Sequence, residues 1–168
     1  KDFDCFVEVI KELGYSQKSL QGVYSDNKIS SKSGIPLMFA RGEERFDLFL
    51  YSVFNFKFDD FVLDNVVLRE DFIGKHELIL KIISNELLIL LKSVTDREKD
   101  FEDILTIVKL NKKINWGLIV DLAIKQKDNN SWILIDLEET LQKLKEYVLI
   151  PSKIFDKIYS AQNKIKNQ

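Results

Sequence analysis

Lys92-Ser93-Val94-Thr95-Asp96-Arg97-Glu98-Lys99-Asp100-Phe101-Glu102-Asp103 packs a dense, ordered set of charges between two apolar helical stretches. Upstream, Leu87, Leu88, Leu91 and Val94 form one helical stripe. Downstream, Phe101, Ile104, Leu105 and Val108 form another. Thr95 followed three positions later by Glu98 fits a capping box, so the stretch predicts a helix that stops and a second that starts at once. That reading places the change of character near Ser84: strands with helices before it, helices alone after it.

Working toward the N-terminus, Phe3, Phe6, Val7, Ile10 and Leu13 follow helical spacing from the first residues, and Gly14 suits the position just past a helix end. Residues 20–24, 35–40 and 45–53 read as short strands, with Gly34-Ile35-Pro36 and Arg41-Gly42-Glu43 as the turns. In the last of these, Arg45-Phe46-Asp47-Leu48-Phe49-Leu50 carries apolar groups on both faces, which predicts a central, doubly covered strand. The spacing over 58–73 predicts a helix, and 76–83, rich in Ile and Leu, a further strand.

Toward the C-terminus, Asn115 can cap a helix carrying Trp116, Ile119, Val120 and Ala123 on one side. Ser131 can cap another bearing Leu134, Leu137, Leu141, Leu144 and Val148, whose spacing of about two heptads suits packing on neighbouring helices better than a coiled coil. Pro151 then opens a last helix with Ile154, Phe155, Ile158 and Ala161 inward. The predicted fold class is α+β: a mixed β-sheet with flanking helices over residues 1–83, followed by a C-terminal helical bundle over 84–168.

A chain of 168 residues with 45% hydrophobic content can bury a sizeable core. A net charge of −2 gives no global pull toward nucleic acid or anionic membrane, and the helical part carries acids as often as bases, which argues against a groove-reading DNA-binding domain. One cysteine, Cys5, and one histidine, His76, provide neither a disulfide nor a zinc-ligand set; with no apolar run of membrane-spanning length, the expectation is a cytoplasmic protein with no membrane partner. The first residue is Lys1 rather than Met and helical spacing begins at once, so a longer native chain is expected.

Asp47 is the sharpest single residue. An ionised carboxylate inside an apolar strand needs a compensating partner. It is either a metal-associated carboxylate or base, or one half of an ion pair with Arg45, Arg41 or Arg69. Lys92, on a helix of leucines, could meet a phosphate or an acid as a point charge, or could snorkel to solvent. Asp100 and Asp103, three apart, share a helix face with Lys99 and Asp96 nearby, as in a salt-bridge network or a site. No glycine-rich phosphate loop, Gly-x-Ser-x-Gly or His-Glu-x-x-His is present in the sequence.

The order Leu13-Gly14-Tyr15, then Arg45-Phe46-Asp47-Leu48-Phe49, then Arg69-Glu70-Asp71-Phe72, then the block from Lys92 to Asp103 resembles nucleotidyltransferase-like proteins related to the AbiEii-type abortive-infection toxins. The resemblance implies an α/β nucleotidyltransferase-like lobe, here partial. It implies metal-dependent transfer of a nucleotide from a nucleoside triphosphate to an RNA, protein or small-molecule hydroxyl, with Mg²⁺ as cofactor and an antitoxin as a possible partner. By resemblance Asp47 is a metal carboxylate, Lys92 neutralises phosphate charge with Arg97 and Lys99 beside it, and Asp100 or Asp103 is the acid of the last motif. The family's Gly-Ser followed by Asp-x-Asp is absent from residues 1–168, since Asp2-Phe3-Asp4 begins a helix without a preceding Gly-Ser. The alternative is a non-catalytic interaction module or an inactive relative.

Overall fold

A computed structural model of the chain describes residues 2–18, 37–49, 52–53, 56–64, 66–73, 77–95, 97–111 and 113–166. It is a mixed α+β structure whose contacts divide it into two compact units, Lys1–Asn55 and Phe56–Gln168. The strand expected at 20–24 and His76 lie outside the described residues.

In the first unit, α1 (Asp2–Glu12) ends where expected: Gly14 takes φ +85°, and its N–H donates to the Lys11 carbonyl at 2.9 Å. Strands β1 (Ser16–Lys18), β2 (Leu37–Arg41) and β3 (Glu44–Leu48) form an antiparallel sheet in the order β1-β2-β3, followed by the short β4 (Ser52–Val53). Gly42, at φ +59°, sits first in the two-residue turn between Arg41 and Glu44, a position that favours residues free of a Cβ.

Phe46 is the centre of this unit's apolar contacts. It stacks on the fully buried Phe39 at 5.2 Å and meets Phe6 of α1 and Tyr15 edge-on at 6.4 and 5.1 Å. On the surface, Tyr15 donates to Glu44 Oε2 at 2.6 Å, and Arg41 donates to the same oxygen at 2.7 Å and to the Leu13 carbonyl at 3.0 Å. These bonds tie the end of α1 to the β2–β3 hairpin.

The predicted central strand is corrected here. Among the described residues β3 lies at the sheet edge and ends at Leu48, with Phe46 and Leu48 half-buried on one face and Arg45 and Asp47 exposed on the other. The period-2 alternation from Arg45 to Leu48 is that of a strand covered on one side only.

The second unit begins with β5 (Phe56–Lys57) and α2 (Asp60–Leu63), capped by Asp59, whose Oδ1 accepts the Val62 N–H at 3.0 Å. The helix predicted over 58–73 is thus one short turn, followed by strand β6 (Val66–Ile73) paired antiparallel with β7 (Glu77–Ile83). The β-branched pair Val66-Val67 and a ready partner strand outweigh the local helical spacing.

Five helices follow: α3 (Asn85–Ser93), α4 (Glu98–Leu110), α5 (Trp116–Gln126), α6 (Ile133–Leu144) and α7 (Ser152–Lys166). Ser84 caps α3 by accepting the Leu87 N–H at 3.1 Å, and Asn115 caps α5 by accepting the Leu118 N–H at 3.1 Å. For α6 the expected cap at Ser131 does not form: Trp132 is the N-cap residue, no side-chain hydrogen bond caps that end, and Asn130 Oδ1 accepts the Trp132 N–H at 3.1 Å just ahead of it. α3 packs against α4, α5 and α6, α5 against α3, α6 and α7, and α6 against α3, α5 and α7, so these three helices share the centre of the unit. Leu87, Leu91, Ile119, Val120, Leu134, Leu137, Leu141, Leu144, Ile154, Phe155 and Ile158 are all buried, as their spacing predicts. No helix among the described residues is long and apolar enough to cross a membrane.

Leu137 is fully buried and Leu149 is 92% exposed. Leu137→Ala is expected to lower stability by about 2–5 kcal/mol, whereas Leu149→Ala changes it by less than about 0.5 kcal/mol. Urea unfolding followed by the fluorescence of Trp116 and Trp132, both in the second unit, checks the contrast.

Candidate functional site

The charged stretch between α3 and α4 folds into one bonded network. Lys92, in the last turn of α3, donates from Nζ to Asp100 Oδ1 at 2.8 Å and to Asp103 Oδ2 at 2.6 Å. The other oxygen of Asp100 lies 2.6 Å from Thr95 Oγ1 and 2.5 Å from Arg97 Nε. Thr95 Oγ1 is also 2.9 Å from the Lys92 carbonyl, and its single proton serves one acceptor at a time. The expected capping box is therefore absent. Arg97 is the N-cap residue of α4, and no side-chain hydrogen bond caps that end.

Asp100 is buried, with its side chain 6% exposed, whereas that of Asp103 is 46% exposed. Burial pushes the Asp100 carboxyl up, but hydrogen bonds from Lys92, Thr95 and Arg97 outweigh it and hold the group at about 2, below its ordinary 3.8. For Lys92, burial acts downward, and the bonds to Asp100 and Asp103 prevail and raise it. The pair is thus fully ionised at neutral pH.

Lys92 and Arg97 also stand on the wall of a cavity of about 280 Å³ between α3, α4 and α6. Phe101 and Glu98 of α4, with Thr140 and Lys143 of α6, line it as well. The sequence placed Lys92, Asp100, Asp103 and Arg97 close together, and they are. Thr140 and Lys143 were missed, because α6 follows some forty residues later and its local spacing says nothing of what faces it. Lys99 is exposed and is not among the cavity's lining residues; Asp96 lies outside the described residues.

Asp47 belongs to the first unit and the Lys92 network to the second. The expected burial is corrected: Asp47 is exposed, and Arg45 holds it in a two-pronged pair, Nε to Oδ1 at 3.0 Å and Nη2 to Oδ2 at 2.9 Å. Of the two readings of this residue, the ion pair with Arg45 is the one present. Among the described residues no three His, Cys, Asp or Glu side chains come together to hold a metal ion. With both Asp47 oxygens engaged by a guanidinium, these residues do not fit a bound Mg²⁺.

Because the folded Asp100 is the stronger acid, its contribution to stability is present above the unfolded value near 3.8 and is lost as pH falls toward about 2. Asp100→Asn is expected to destabilise the protein by about 2 kcal/mol at pH 7. The gap to the wild type should close between about pH 5 and pH 2 in denaturant titrations, and a gap independent of pH would remove the network from this role.

No protein family, curated protein or solved structure matches this chain, so the likeness to nucleotidyltransferases rests on the residues quoted for it.

Proposed function

We propose that this chain handles nucleotides, its helical unit receiving the polyphosphate of a nucleoside triphosphate in the cavity between α3, α4 and α6. The observation that carries this reading is the placing of three cations, Lys92, Arg97 and Lys143, around one cavity, two of them gripped by the same buried carboxylate. Lys92 directs two of its three N–H donors at acids, leaving one for a further acceptor. Arg97 donates to Asp100 through Nε alone, and the rest of its fork is available for a bidentate contact of the kind phosphate favours.

The first turn of α4, lacking a side-chain cap, adds the positive end of a helix dipole beside these cations. At about 280 Å³ the cavity falls just below the size of most ligand sites, about 300–1,000 Å³. It suits a phosphate chain better than a whole nucleotide. Transfer of the nucleotide to an RNA, protein or small hydroxyl acceptor, with an antitoxin partner, is the extension that the resemblance supports, and the nucleotidyltransferase-like lobe over residues 1–83 goes with it.

A second reading, a non-catalytic interaction module, is favoured by the segment between α6 and α7. There Tyr147 is 53% and Leu149 92% exposed, and Tyr147 meets Phe101 edge-on at 6.2 Å. Apolar exposure of this kind marks docking surfaces.

Thermal-shift titration of the full chain with the four nucleoside triphosphates and with tripolyphosphate separates the two. Ligand at about 100 times its dissociation constant should stabilise by about 2.7 kcal/mol. Arg97→Ala and Lys143→Ala should each weaken binding by about tenfold, equivalent to about 1.4 kcal/mol. No shift with any of these anions overturns the nucleotide reading in favour of the module.

A further inference from the structure

The two carboxylates that hold Lys92 are unlike. Asp100 is buried and accepts from Lys92, Thr95 and Arg97 together, so turning it away would strand several polar groups. Asp103, one turn further along α4, is half exposed and meets Lys92 through a single oxygen. Lys92 keeps its bond to Asp100 whichever way Asp103 turns, and Asp103, 46% exposed, can exchange its lysine contact for water, which Asp100 at 6% cannot.

Two of the cavity's cations already carry counter-charges: Lys92 is paired with Asp100 and Asp103, and Arg97 with Asp100, so an incoming anion meets them partly neutralised. For a phosphoryl group to gain the full charge of Lys92, one of the lysine's acids has to give way, and Asp103 is the one that can do so at low cost. We propose that Asp103 is an internal counter-anion for Lys92 that the phosphate displaces on binding, so that this one carboxylate sets the affinity of the cavity. The proposal rests on the polyphosphate reading above and adds a control element to it. Asp100, by contrast, positions Lys92 and Arg97 and stays in place.

The test titrates the full chain with inorganic tripolyphosphate by calorimetry. Asp103→Asn, which keeps the shape and removes the charge, should tighten binding by about five- to tenfold. Glu102→Gln, the same charge change on the adjacent exposed position of α4, should shift it by less than about twofold. In a Lys92→Met background the gain from Asp103→Asn should vanish, since the competition needs the lysine. Circular dichroism checks folding, and Asp103→Ser serves as a second variant should the asparagine form fold poorly. If the wild type binds and Asp103→Asn is unchanged or weaker, or if Glu102→Gln tightens binding equally, displacement is overturned while the cavity reading stands. If neither the wild type nor Asp103→Asn binds tripolyphosphate, both fail together.

Discussion

Asp100 is the constraint around which the helical unit is arranged. Its two oxygens accept from an ammonium on α3, a hydroxyl on the connection and a guanidinium at the start of α4. A buried carboxylate with fewer partners would take up a proton or force the helices apart. With these three it remains charged and fixes how the end of α3 meets the beginning of α4. The remaining helices then close over the apolar side of α3, where Leu87, Ile89, Leu90 and Leu91 are all buried.

Much of the helical unit is legible in the sequence, because apolar residues at three- and four-residue spacing give the buried face of each helix whatever the neighbour. Leu134, Leu137, Leu141 and Leu144 on α6 and Ile154, Phe155 and Ile158 on α7 need no knowledge of what covers them. On α3 the expected stripe is too narrow: Ile89 and Leu90 are buried as well, since a helix with neighbours on several sides has no solvent face to reserve.

The failures have separate physical origins. The apolar neighbours Phe46, Leu48, Phe49 and Leu50 predict a buried Asp47, whereas β3 stops at Leu48 and the alternation before that point puts the acid outward beside Arg45. The stretch over 58–73 has helical spacing, but β6 finds its hydrogen-bond partners in the next strand, β7, a cross-strand pairing that periodicity within 58–73 does not register. Thr95 has the sequence of a capping residue, yet its hydroxyl is drawn to Asp100 because that carboxylate needs the donor. Of the candidate site, the charged core was readable from its density alone; the far wall on α6 depends on tertiary packing.

The Lys92 network joins residues only eight and eleven positions apart. Closing so short a loop takes little chain entropy, and loops of about ten residues close in roughly 10–100 ns. The α3–α4 corner is therefore a local structure able to organise before α5, α6 and α7 arrive, and the apolar side of α3 is presented to them in a fixed orientation. The same residues that gather charge at the cavity thereby also make the α3–α4 corner a short-range structure whose closure needs no distant segment.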